Sequence, residues 1–154
     1  MMVDETNIDW LRAFRIYLAA SVVLHLGWEA LHLPLYTIWY TGRARDMAFA
    51  VAHCTAGDVI IASLSLLAAL VVVGDRAWPL RQFMPVVLVS LVLSMGYTVY
   101  SEWLNTVVRK SWSYSASMPT LPWIGIGLSP LLQWLFVPAL GFAALRQNGR
   151  SLAR

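Results

Sequence analysis

Long apolar runs alternate along the chain with short polar breaks. Four runs, at about 12–33, 47–73, 82–108 and 124–145, each hold the roughly 20 helical residues needed to cross about 30 Å of hydrocarbon. Pro34 helps to end the first, and Gly74-Asp75-Arg76 separates the second from the third. Arg109-Lys110 closes the third, and the stretch SWSYSASMPTLP, residues 111–122, leads into the fourth. The pattern predicts an all-α, polytopic integral membrane protein: one four-helix transmembrane bundle in a single domain over residues 1–154. Within 111–118 the period drops to two, with Ser alternating against Trp112, Tyr114, Ala116 and Met118. That alternation predicts an extended piece with one apolar face, lying on the headgroups or acting as a lid over a cavity.

The apolar runs are interrupted at particular places. Span 1 carries His25, Glu29 and His32. At about 100° per residue these three fall within about 60° of one another, as one stripe on the outer half of the helix. Span 2 starts at that end and carries His53, Cys54 and Asp58 early; span 3 finishes there with Tyr97, Tyr100, Glu102 and Asn105 late. Span 4 starts there and places Gln133 roughly halfway along. All three histidines and three carboxylates therefore gather at one depth. An ionised carboxylate near the bilayer centre costs on the order of 3 kcal/mol, so such groups are expected to face the bundle interior or a wet cavity.

Composition agrees with the pattern. Of 154 residues 59% are hydrophobic and 12% charged, about half the charged share of a soluble domain, and mean hydropathy is +0.64. The net charge of +3 does not point to nucleic acid, because the eleven basic residues sit in loops and tails. Seven of them (Arg12, Arg15, Arg76, Arg81, Arg146, Arg150 and Arg154) fall on the side of the termini, and four (Arg43, Arg45, Arg109 and Lys110) on the other. The positive-inside rule then predicts cytoplasmic N- and C-termini, in a cell (inner) membrane. Tyr36, Trp39, Tyr40, Trp112, Tyr114 and Trp123 on the opposite side read as an interfacial aromatic belt. The first nine residues carry Asp4, Glu5 and Asp9 before any arginine, which is not the pattern of a cleavable signal peptide. A single cysteine, Cys54, excludes an intrachain disulfide.

Each polar residue also has a purely structural reading. His25 and Glu29, at i and i+4, can satisfy each other as a pair that holds helices together. His32 can be solvated near the interface, Cys54 can be a small packing residue, and Glu102 can cap toward Arg109. His53 and Asp58 stand about 140° apart around their helix, so both cannot point straight at one spot. Gly57 and Gly96 most simply permit close helix approach.

The ordered set His25-x3-Glu29, Asp58, Tyr100-x-Glu102 and Trp134-x3-Pro138, over about residues 24–145, resembles the EXPERA family, the group of the emopamil-binding sterol isomerase and the sigma-2 receptor type. The chain departs from that pattern at Leu131, where the family has Asn three residues before the Trp, and at Asp58, which lies two residues off the family spacing. The resemblance implies a membrane cavity for a flat apolar ligand such as a sterol. It implies catalysis by His25, Glu29, Asp58 and Glu102, with an acid protonating a ring double bond and a base removing a neighbouring proton. Trp134 would stabilise the cation, and Tyr97, Tyr100, Asn105 and Gln133 would line the ligand site. No cofactor is implied, and the partner would be a membrane lipid or sterol-like molecule.

Two other classes stay open. His25, Glu29, His32, His53, Asp58 and Glu102 together could bind metal, since imidazole with carboxylate suits iron, zinc or copper and Glu-x2-His presents ligands inside helix bundles. Such a site would serve an oxidoreductase, a hydrolase or a metal carrier, with b-haem held by two histidines as a variant. A small transporter or accessory subunit that relays protons or cations is the third class. A homo-oligomer is compatible with all of them.

Overall fold

The computed structural model describes residues 9–148; Asp4, Glu5, Arg150 and Arg154, used above, lie outside the described residues. The architecture is all-α: α1 Trp10–His32, a short α2 Ile38–Thr41, α3 Ala44–Val73, α4 Phe83–Trp103 and α5 Leu128–Gln147. The stretches Trp10–Leu35, Ala44–Val73, Phe83–Val108 and Leu128–Gln147 are long and apolar enough to cross a membrane. The chain is an integral membrane protein folded as a four-helix bundle. Among the described residues there is no strand beyond two isolated bridges.

Local chemistry accounts for the ends of the helices. Asp9 caps α1, its Oδ1 accepting from the Arg12 N–H at 2.9 Å. Pro34 lies in a single 3-10 turn, Leu33–Leu35, that continues α1. Asp46 accepts from the Arg43 N–H at 3.2 Å and closes the start of α3. Asp75 accepts from the Ala77 N–H at 2.7 Å in the turn that follows α3. α4 loosens into a π turn over Leu104–Val108, and α5 begins only at Leu128, four residues later than the hydropathy predicted. Gln133 accordingly stands in the second turn of α5 rather than midway. Inside α5, Pro138 has no N–H to give the carbonyl of Trp134.

The apolar core occupies the half of the bundle near the termini. Tyr17, Leu66, Trp78, Val86, Phe142 and Leu145 are all buried there. The Tyr17 and Phe142 rings stand 4.7 Å apart, and Gly141 lets the Tyr17 ring approach the α5 backbone: a Cβ at this glycine would come within 3.3 Å of that ring. Helix approach depends on this glycine and not on the two expected from the sequence. A Cβ at Gly57 or Gly96 would meet nothing within 4 Å. Small hydroxyls separate this core from the other half: Ser94 donates back to the Ser90 carbonyl at 2.8 Å, and Ser90 reaches the Ser65 carbonyl of α3 at 3.5 Å.

Segment 111–118 is extended only in its first part. Thr37 N–H donates to the Ser113 carbonyl at 3.0 Å and Ser115 N–H to the Leu35 carbonyl at 2.9 Å, pairing this strap antiparallel to residues 35–37. The alternation then breaks in a turn at Ala116-Ser117, so Ala116 is exposed while Met118 is buried.

Candidate functional site

The half of the bundle away from the termini contains a cavity of about 820 Å³ between α1, α3, α4, the start of α5 and the strap. Its lining includes Glu29, His32, Tyr36, Cys54, Asp58, Glu102, Gln133 and Trp134. At its inner end three helices converge on one amide. Gln133 Nε2 lies 3.0 Å from His25 Nδ1, 3.0 Å from Glu29 Oε1 and 2.8 Å from Asp58 Oδ2. An amide nitrogen has two hydrogens, so it can satisfy only two of these three acceptors. Asp58 Oδ2 also stands 3.4 Å from His25 Nδ1. His25 Nε2 is wholly buried and has no hydrogen-bond partner among the described residues. The Glu29 and Asp58 carboxyls thus meet at one nitrogen, through Oε1 and Oδ2.

The polar chain continues outward along α1. Glu29 Oε2 is 3.2 Å from His32 Nε2, and His32 Nδ1 is 3.0 Å from the Ser129 hydroxyl, which also takes the Trp28 indole N–H at 3.3 Å. His32 is buried and tied in rather than solvated as its position near the interface suggested. The i, i+3 relation on α1 and the first turn of α5 bring Glu29, His32 and Ser129 together. The His25 ring also lies 5.0 Å from Trp134, tilted against it.

Glu102 is held separately. Its Oε2 accepts from the Tyr114 hydroxyl, which in turn takes the Gly127 N–H at 3.0 Å. The strap therefore provides the partner of Glu102, which is not a cap toward Arg109. Tyr36 stands between the two acidic groups, its ring 5.2 Å from His32 and 5.5 Å from Tyr114. Burial, reinforced by the Glu102 charge, holds both the Tyr36 and Tyr114 phenols above their ordinary range. Both stay protonated and able to donate.

Four predicted site residues stand apart from this polar group. His53 is exposed at the cavity edge, stacked on Phe49 at 5.5 Å, and among the described residues no hydrogen bond joins it to the polar group. Tyr100 faces outward in an aromatic ladder with Tyr97 at 6.5 Å and Trp103 at 6.4 Å; Tyr97 is half-exposed but does reach the cavity. Asn105 lines the cavity with its amide bonded back to Ser101 at 2.9 Å. Among the described residues no three His, Cys, Asp or Glu side chains form a metal-binding group. Tyr36, Tyr114 and Ser129 join the site without having been singled out for it. The period-two alternation of the strap was the available signal for Tyr114.

Compared with known families, curated proteins and solved structures, the chain matches no family model, no curated protein and no solved structure.

Proposed function

We propose that the bundle binds a hydrophobic small molecule in this cavity and can move its double bond by acid/base chemistry. The observation that carries the reading is the convergence of Glu29, Asp58 and His25 on the Gln133 amide at the inner end of an 820 Å³ cavity bordered by Trp134. In such an isomerisation a carboxylic acid gives its proton to one alkene carbon. A neighbouring carbon then loses a proton to a base, so the net composition of the ligand is unchanged. Glu29 and Asp58 form the proton-holding pair, His25 keeps Asp58 oriented, and the Trp134 face is suited to a developing cation. The EXPERA resemblance supports this arrangement at His25, Glu29 and Trp134; Asp58 stands two residues off the family spacing, and Gln133 is a polar substitute for the missing Asn at another position. Tyr100, facing outward, has no part in it. The basic residues, seven against four, support termini at the cytoplasmic face of a cell membrane, with the cavity toward the opposite side.

The metal reading is weaker on this geometry. An N–H donor stands where His25, Glu29 and Asp58 converge, and His53 is occupied by Phe49. A proton relay without chemistry would use the same groups and differs only in leaving a ligand unchanged.

Mass spectrometry of the detergent-purified full chain tests the proposal. A defined apolar molecule should co-purify at near one per chain and disappear in Asp58→Asn. Incubating that molecule with the protein in D2O should add one deuterium when the bond moves. Recovery of phospholipids only in their bulk membrane ratio, with no molecule retained near one per chain, would rule the reading out.

A further inference from the structure

Resting on the cavity reading above, the remaining question is what chemistry meets the ligand at the outer mouth. The mouth is formed where α4 ends, and it ends in an unusual way. The Arg109 N–H bonds the Leu104 carbonyl five residues back, and the Ser111 N–H bonds the Asn105 carbonyl. Between them Lys110 adopts a left-handed conformation, φ 53°, which non-glycine residues seldom take. A π turn and a left-handed lysine in succession are local deviations of the kind that gather at functional positions. Their effect here is to leave Arg109 and Lys110 adjacent on the rim, both lining the cavity.

Among the described residues neither Arg109 nor Lys110 has an ion pair. Asp46, which also lines the cavity, is already engaged: it caps α3 through the Arg43 N–H and lies 3.4 Å from Arg45 Nε. Glu102, seven residues before Arg109 and so about 10 Å deeper along the helix, is bonded to Tyr114. The cavity thus has a cationic rim, apolar walls at Leu33, Ile61 and Trp134, and a floor where the Glu29 and Asp58 carboxyls meet the Gln133 amide.

We infer that the cavity takes an amphiphile with one anionic headgroup, held at the rim by Arg109 and Lys110, its apolar body running down toward Gln133. Carboxylate and phosphate share the required chemistry, a compact anion that accepts charge-assisted hydrogen bonds.

The test uses the full chain in nanodiscs of phosphatidylcholine, with tryptophan quenching by spin-labelled stearic acid and by its neutral methyl ester; Trp112 and Trp134 both line the cavity. The acid should half-saturate at about a tenfold lower concentration than the ester. That preference should vanish in Arg109→Gln/Lys110→Asn, asparagine being chosen because it tolerates the left-handed backbone. Displacement of the acid by phosphatidylglycerol placed in the disc would support the inference, with a bilayer lipid as the source of the headgroup. Displacement by inorganic phosphate alone would overturn it, because no apolar body would be needed. Equal saturable quenching by acid and ester would overturn the headgroup inference and leave the cavity reading standing. Absence of saturable quenching by either probe would overturn both.

Discussion

The same four helices build two unlike halves. Toward the termini, Tyr17, Leu66, Trp78, Val86, Phe142 and Leu145 fill the space between helices, and Gly141 brings α5 against the Tyr17 ring. Toward the opposite connections, the helices enclose about 820 Å³ around two imidazoles and three carboxyls, and Gly57 faces open space. Lipid tails are as apolar as leucine, so no hydrophobic force draws helices together in a membrane, and the first half must hold by close packing. The second half is joined instead by hydrogen bonds that cross from α1 and α3 to α5, and a wet, roomy interior is compatible with those. The close-packed core and the polar cavity are therefore separated along the bundle axis rather than mixed within one core.

That separation can be broken most severely at the glycines. Gly141→Leu should overpack the Tyr17 contact and cost about 3 kcal/mol, or prevent folding, whereas Gly57→Leu should leave stability within about 1 kcal/mol while filling the cavity. Unfolding in mixed micelles would measure both, and equal destabilisation by the two would erase the distinction between the halves. Tyr114→Phe should cost about 1 kcal/mol by removing the donor to Glu102 and the acceptor for Gly127 N–H. Cys54, the only cysteine, lines the cavity and reports on the strap: its reaction with a maleimide should speed up in this variant. An unchanged rate would mean that the strap does not limit access. The Tyr114 phenol is raised in the folded protein, so its contribution to stability is full below the unfolded value of about 10 and is lost only as pH climbs through the higher folded value. The smallest effect is expected at His53→Ala, within about 0.5 kcal/mol and silent for ligand retention, because this side chain only stacks on Phe49. Ligand loss in that variant would bring His53 back into the site.

Much of this was legible because helices repeat. The stripe of His25, Glu29 and His32 follows from 100° per residue, and all three are buried. The 140° offset between His53 and Asp58 likewise anticipates that one of them turns away, and it is His53. Depth within the membrane, by contrast, depends on where a helix starts, and α5 starts at Leu128 because residues 119–127 form a loop of their own, with the Leu128 N–H bonded to the Pro119 carbonyl at 2.7 Å. Gln133 thereby reaches both carboxyls at once, which no spacing within its own span reveals. The partner of Glu102 was hidden for a different reason. Tyr114 is placed by backbone pairing between the strap and residues 35–37, a tertiary event: the period-two alternation marks the extended strap but not what it pairs with. Tyr100 went astray because Tyr and Glu two residues apart on a helix point about 200° apart, so only one of them can face the cavity.

Pro138 gives the two halves a mechanical relation as well as a spatial one. With no N–H to bond the Trp134 carbonyl, α5 lacks one rung between Gln133-Trp134 and Gly141-Phe142. The segment beyond Pro138 is clamped by Tyr17; the segment before it carries the amide that holds both acids. A missing rung at that level lets the upper part of α5 tilt about a fixed lower anchor. A small swing there would carry the Gln133 amide away from Glu29 and Asp58 together, so one hinge would uncouple both acids in a single motion and leave the lower bundle untouched.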